Sequence, residues 1–357
     1  MTVEHNDNFL LLTENPVGTV TETLNIGARI ATDTGRNAFN LKPGVRLYRY
    51  SESPQYNDEV YTLDAGYAGS WERWKWNVMG NLARDSTLTT VYEDIGAFEA
   101  DRRRLTLGVN PQLSFAVNQK TTASVSLTHN EVKYQDNAHT SLVNYKVDVI
   151  NPTWEYMYSE RINLQASVNA SFLDAPDVRY SNSDYGASLG VIIKTSELFT
   201  SSISMGTHQS TTVRRTALGN ISDSSNGWMF NANTQWSDLV NSWSIALSRK
   251  IEPGVHGVFV KQDKAIVSLS HAVSSMMNTG ISASALHVAS LSSDYTEDNR
   301  TFLRGEARVE WSKTANMKII GSYIRMQNEF SSASGSAYAN VVSLSVSYNA
   351  GRTSWWQ

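Results

Sequence analysis

Cysteine is absent from all 357 residues. That excludes disulfides, thiolate zinc sites, haem attachment through CxxCH and cysteine nucleophiles. Long apolar runs are also missing. No segment reaches the roughly 18 apolar residues that a spanning helix needs. Histidine is sparse, at 5, 129, 139, 208, 256, 271 and 287, with no HxH or HExxH spacing to hold a metal. No GxSxG elbow occurs. The stretch "GARIATDTG" reads as a strand and its turn, so it makes no phosphate loop. Glu93 and Asp94 are adjacent carboxylates in a polar loop and read as solvated. The net charge of -4 and pI near 6.0 give no basic signature for nucleic acid. These absences predict a chain with no catalytic residue, no cofactor and no metal.

Aromatics and alternation are what the chain does have. Trp is 10 and Tyr 16, against only 7 Pro, a balance that suits long strands. In "RINLQASVNASF" (161–172) Ile162, Leu164, Ala166, Val168, Ala170 and Phe172 alternate with Asn163, Gln165, Ser167, Asn169 and Ser171. "RLTLGVNPQLSFAV" (104–117), "FLRGEARVEW" (302–311), "WKWNVMGNL", "WMFNANTQW" and "VVSLSVSYN" repeat the rule. Near Pro152 the phase slips, which predicts a bulge. "MKIIGSYIRM" (317–326) is apolar on both faces and leaves its orientation open.

The connections alternate too. Short turns such as "SWERW", "AVNQKT", "YSERI", "TSELF" and "WSKTANM" stand between long polar stretches at 51–59, 84–101, 134–142, 173–184, 209–226, 250–263, 290–300 and 328–337. Strands of about ten residues, with short turns at one end and long loops at the other, predict an antiparallel up-and-down outer-membrane β-barrel. The count is about 18 strands, with 16 as the fallback, the first at 6–13 and the last at 338–349. We read residues 1–357 as one domain with both termini periplasmic and the long loops extracellular. The polar "TVEHNDNF" after Met1 reads as a mature chain without a signal peptide. Trp71, Trp74, Trp76, Trp154, Tyr156, Tyr158, Trp236, Trp243 and Trp311 would rim the apolar face as an interfacial girdle. The apolar face of each strand should therefore meet lipid, and the polar face should line a lumen.

Alternation places Arg29, Lys42, Arg46, Asp64, Lys75, Lys146, Asp148, Arg304, Glu306, Arg308 and Glu310 on that lumen. Arg102, Arg103 and Arg104 would form a basic cluster at the extracellular end, with Arg214 and Arg215 in another long loop. Lumen charge sets the selectivity of a wide channel, whereas paired charges only stiffen its wall. Arg304, Glu306, Arg308 and Glu310 carry both signs and should pair with their neighbours. Lys42, Arg46 and Arg29 have no acid at alternate positions of their own strands and should meet an anion. Tyr48, Tyr92, Tyr134 and Tyr180 would either stack on sugar rings or pack within loops.

Several stretches resemble the outer-membrane barrels of exopolysaccharide secretion clusters of the biofilm and exosortase-associated, Wzx/Wzy type. They are "EHNDNFLLLTEN", the run from "DRRRLTLGVNPQLSFAV" to "WEYMYSERINL", "WSIALSRKIEPGVHG" and "YANVVSLSVSY". The resemblance spans nearly the whole chain and implies a porin-like conduit for polysaccharide export in a Gram-negative outer membrane. It implies contact with outer-membrane lipid and lipopolysaccharide, a polysaccharide substrate and a separate periplasmic export protein. The alternative is a diffusion porin for small polar or anionic solutes. Export requires a lumen wide enough for a glycan. It also requires loops that gate it, whereas a diffusion porin requires a loop folded inward as a constriction, and 84–101 is the longest candidate for either.

Overall fold

The computed structural model describes residues 1–89, 101–135, 140, 142–217, 219–254, 257–291, 299–330 and 335–351. The strands are β1 (Thr2–Asn6), β2 (Thr19–Gly27), β3 (Ile30–Asp33), β4 (Asn37–Tyr50), β5 (Asp58–Trp71), β6 (Trp74–Ser86), β7 (Arg103–Ala116), β8 (Thr121–Tyr134), β9 (Tyr145–Ser159) and β10 (Ile162–Ala175). They continue with β11 (Tyr180–Lys194), β12 (Phe199–Thr216), β13 (Gly219–Ser237), β14 (Asn241–Pro253), β15 (Phe259–Ala272), β16 (Met277–Ser290), β17 (Arg300–Thr314), β18 (Met317–Phe330) and β19 (Ser336–Tyr348). Each pairs antiparallel with its neighbours, and β1 closes the sheet by pairing with both β19 and β2. β2 and β3 are one strand interrupted at 28–29, because both pair with β4 in a single unbroken register. The result is a closed all-β barrel of 18 strands.

Burial answers which face looks outward. Leu164, Val168 and Phe172 are exposed while their alternates Gln165, Ser167 and Asn169 are partly covered. The same holds at Leu105, Leu107 and Val109 and at Leu303, Val309 and Trp311, all exposed. So large an apolar surface is stable in lipid, not in water. Trp71 stands beside Trp74, and Trp236 beside Trp243, on this outer face at the short-turn end, with Trp154, Tyr156, Tyr158 and Trp311.

Some expectations need correction. The first strand lies at Thr2–Asn6, and residues 7–18 connect it to β2. Much of 173–184, 209–226 and 250–263 is strand. The strands run on to Ala175, Thr216 and Pro253 and resume at Tyr180, Gly219 and Phe259. Beyond the apolar belt a strand meets water outside, so alternation vanishes from the sequence while backbone pairing continues. No bulge sits at Pro152, which keeps register with Val125; the irregularity falls at Ile162/Asn163. A proline removes one ladder donor, and at Pro111 a side chain replaces it. The β7–β8 ladder is interrupted at Asn110 and Pro111, and Asn110 Nδ2 donates to Leu127 O at 2.9 Å and Thr128 Oγ1 at 2.6 Å.

Candidate functional site: lumen and mouth

The inward face changes character along the barrel. Toward the short turns it is polar: Ser167 and Ser188 share a hydrogen bond at 2.7 Å, and Ser322 and Ser343 one at 2.8 Å. Toward the long loops it becomes apolar and dry. Val147, Leu173, Val260, Leu286, Val288, Phe302, Met326, Ala337, Ala339 and Val341 are all buried, although each occupies an inward strand position. Leu11, Val143 and Val258, from connections, complete this cluster. A second cluster joins Phe9 to Tyr48, Tyr50, Val60 and Leu88.

Gly257 and Val258, just before β15, help to build this layer. A methyl on Gly257 would stand 3.0 Å from Cβ of Ala175, the last residue of β10, and 3.1 Å from Cγ1 of Val143, just before β9. Gly257 also has φ +68°, which favours glycine. Gly257 and Val258 thus fold inward, with Val258 only 1 % exposed. The sequence pointed instead to 84–101, most of which, with Tyr92, Glu93 and Asp94, lies outside the described residues, as do His139 and His256. A chain of apolar residues facing inward cannot be told from a lipid face by alternation alone, which is why this layer was missed.

The register places Lys42, Arg46, Lys75, Arg304, Glu306, Arg308 and Glu310 on the inner face. Arg29 lies in the β2–β3 break, opposite Lys42 by the register on either side. Lys42 faces Asp64 directly, so an acid does oppose that row, from the next strand. Arg46 donates to Tyr48 Oη at 2.9 Å. Arg304 Nη2 bonds Glu306 Oε2 at 3.1 Å, and Lys318 Nζ bonds Glu310 Oε1 at 2.7 Å. Lys146 and Asp148 are corrections: they share the outward face with Ile150 and Trp154, and Asp148 meets His129 at 2.7 Å. The extra polar residues there mark the end of the lipid belt.

The three arginines do not act as one cluster. Arg103 points outward and is half exposed, 3.7 Å from Asp58. Arg104 points inward into a buried pair with Asp85. Arg102 precedes β7, and its backbone N–H donates to Thr87 Oγ1 at 3.1 Å. Consecutive strand residues point to opposite faces, so a run of three splits. Arg214 and Arg215 likewise divide between the two faces of β12. Tyr48, Tyr134 and Tyr180 are buried within the mouth and pack there.

Sequence reading did not find the buried pair of His208 Nδ1 and Asp184 Oδ1, 3.0 Å apart on the inner face of β11 and β12. Neither residue has partners within its own strand, and only the register brings them together. Across the inward strand positions below the dry layer, the described residues carry Arg29, Lys42, Arg46, Lys75, Lys194, Lys264, Arg304, Arg308 and Lys318. Against them stand Glu4, Asp33, Asp64, Glu155, Asp184, Glu306 and Glu310. The lumen therefore holds a positive excess inside a chain whose net charge is -4.

No protein-family model matches the chain, and no curated protein does. Solved structures do match in fold. The copper transporter OprC aligns at TM-score 0.52 with 10 % identity, covering 98 % of this chain and 66 % of that one. The FrpB iron transporter of Neisseria meningitidis aligns at 0.51 with 10 % identity, covering 92 % and 61 %. OccK2 (OpdF) of Pseudomonas aeruginosa aligns at 0.50 with 8 % identity, covering 98 % and 96 %. The chain spans 64 % of the length of the receptor FauA of Bordetella pertussis. At these identities the likeness is one of fold alone: a closed antiparallel β-barrel. The resemblance to exopolysaccharide barrels receives no support from these neighbours.

Proposed function

We propose that this barrel is a diffusion channel for small polar and anionic solutes in a Gram-negative outer membrane, with its long loops outside. The carrying observation is the polar lumen with its excess of basic residues. It opens at the short-turn end and narrows under the inward-folded Leu11 and Val258. Cations along a wet wall favour anions without holding them, and an apolar constriction gates by excluding water. The neighbours OprC and FrpB, named as copper and iron transporters, fit a transport role.

The test is conduction in planar bilayers under a salt gradient. The expected result is a small conductance with a reversal potential favouring anions. Replacing Arg29, Lys42 and Arg46 by Glu should move it toward cations. Cation preference in the unaltered barrel would overturn the reading.

Export of an exopolysaccharide is the second reading, favoured by the hydroxyl-rich wall. It requires the dry layer at Leu173, Val260 and Phe302 to be displaced for each polymer strand. Deleting the gene separates the two: lost polymer secretion with unchanged solute uptake favours export, and the converse favours diffusion.

A further inference from the structure

On the inner face of β17, Arg304 pairs with Glu306 and Glu310 with Lys318. Arg308 has no hydrogen bond or ion pair among the described residues, and its side chain is exposed to the lumen. It lies across Gly280 of β16, its cross-strand neighbour. A methyl on Gly280 would stand 3.2 Å from Arg308 Nε and 3.4 Å from its Cγ. Glycine there lets the aliphatic stem lie close against the wall.

Arg308 borders a cavity of about 580 Å³ toward the short-turn end, which Ser244, Ser268 and Ser282 also line. Those three hydroxyls have no hydrogen-bond partner among the described residues. Gln235 and Thr200 line the same cavity. A guanidinium offers a planar fork that matches a carboxylate. Hydroxyls that can both donate and accept match the hydroxyls of a sugar. Glu306 also borders the cavity, but Arg304 holds it.

The geometry points to a binding subsite for a sugar acid, with Arg308 taking the carboxylate and the serines taking the ring hydroxyls. This deepens the channel reading and rests on it for access to the lumen. Binding itself can be measured without transport.

The experiment is calorimetric titration of the detergent-solubilised barrel with galacturonate, galactose, acetate and inorganic phosphate. Galacturonate should bind about tenfold tighter than galactose or acetate, since only it uses both halves of the site. Arg308→Gln should remove that advantage and leave galactose unchanged. Ser268→Ala with Ser282→Ala should weaken both sugars and spare acetate. Arg325→Gln, on the outer face and away from this cavity, should change none of them. Heat-modifiable gel mobility checks that each variant is folded. Galacturonate no tighter than acetate, phosphate tighter than galacturonate, or an Arg308→Gln variant equal to the unaltered barrel would each overturn the subsite. Arg308-dependent galacturonate binding to a barrel that does not conduct would overturn the channel reading and leave the subsite standing.

Discussion

Arg104 donates two hydrogen bonds to Asp85, one to each carboxylate oxygen and both 3.0 Å long, across the β6–β7 ladder. The Asp85 side chain is 4 % exposed and that of Arg104 17 %. Removing one partner of a buried ion pair strands the other charge, at a cost of about 3–5 kcal/mol. Asp85→Ala should destabilise the barrel by that amount. Replacing both residues with apolar groups of similar size should cost less. Urea unfolding in lipid vesicles measures both, and a single variant within about 0.5 kcal/mol of the unaltered protein would contradict this burial.

Val168 faces outward and is 54 % exposed, with Ser167 facing the lumen beside Ser188. Arginine on a lipid face costs about 2–4 kcal/mol at the midplane. Val168→Arg should lose close to that amount, whereas Ser167→Arg meets lumen water and should lose less. Spin labels at 166 and 167 give an independent reading. Oxygen should relax the label at 166 more strongly, and equal accessibility would contradict the assigned faces.

The dry layer makes a prediction about conduction. Val258 and Leu11 sit in one buried apolar cluster that spans the mouth. A charge placed there brings water with it, because an unpaired buried charge is costly. Val258→Asp should therefore hydrate the constriction and raise single-channel conductance several-fold. Gly257→Ala should act in the same direction, since its φ of +68° strains any side chain and a methyl group would crowd Ala175 and Val143. Unchanged conductance in both variants would locate the constriction elsewhere.

The lipid belt was legible in the sequence because each strand there carries one apolar and one polar face. Leu164, Val168 and Phe172 announce it without any tertiary information. The outer third was not legible for the same reason. At Leu173 the apolar phase moves to the inner face, and Ile324 and Met326 do the same on β18, where the outer face turns polar at Arg325 and Gln327. That explains why 317–326 resisted orientation: Ile319 and Tyr323 face lipid while Ile324 and Met326 enter the dry layer. Charges within the belt, such as Lys42 and Arg308, fall on the inner face by register. Charges beyond it were misassigned, as at Lys146 and Asp148, where the outer face is wet too. Pairing depends on the neighbouring strand, so neither Asp64 opposite Lys42 nor Asp184 beside His208 could be read from one strand alone.

Asp101, just before β7 at the long-loop end, supplies a pH test outside the membrane-spanning segments. Burial, reinforced by the nearby Asp58 carboxylate, raises its pKa above the ordinary carboxylate value, against a hydrogen bond from Ser86 and the charges of Arg102 and Arg103. A folded-state pKa above the unfolded one means that the folded state binds the proton more tightly. The associated stability is fully present below the unfolded value of about 3.9 and is lost as pH rises through the folded value. Above that window the ionised carboxylate leaves a constant penalty. Asp101→Asn removes the titration and keeps the shape. The variant should match the unaltered barrel below about pH 3.5 and exceed it in stability at neutral pH, the gap opening as pH rises through the window. Urea midpoints in vesicles measured across pH 3 to 8 would show two curves that diverge upward from the acid end. Parallel curves, or a variant less stable at pH 7 than at pH 3 relative to the parent, would show that Asp101 is not held in a desolvated site.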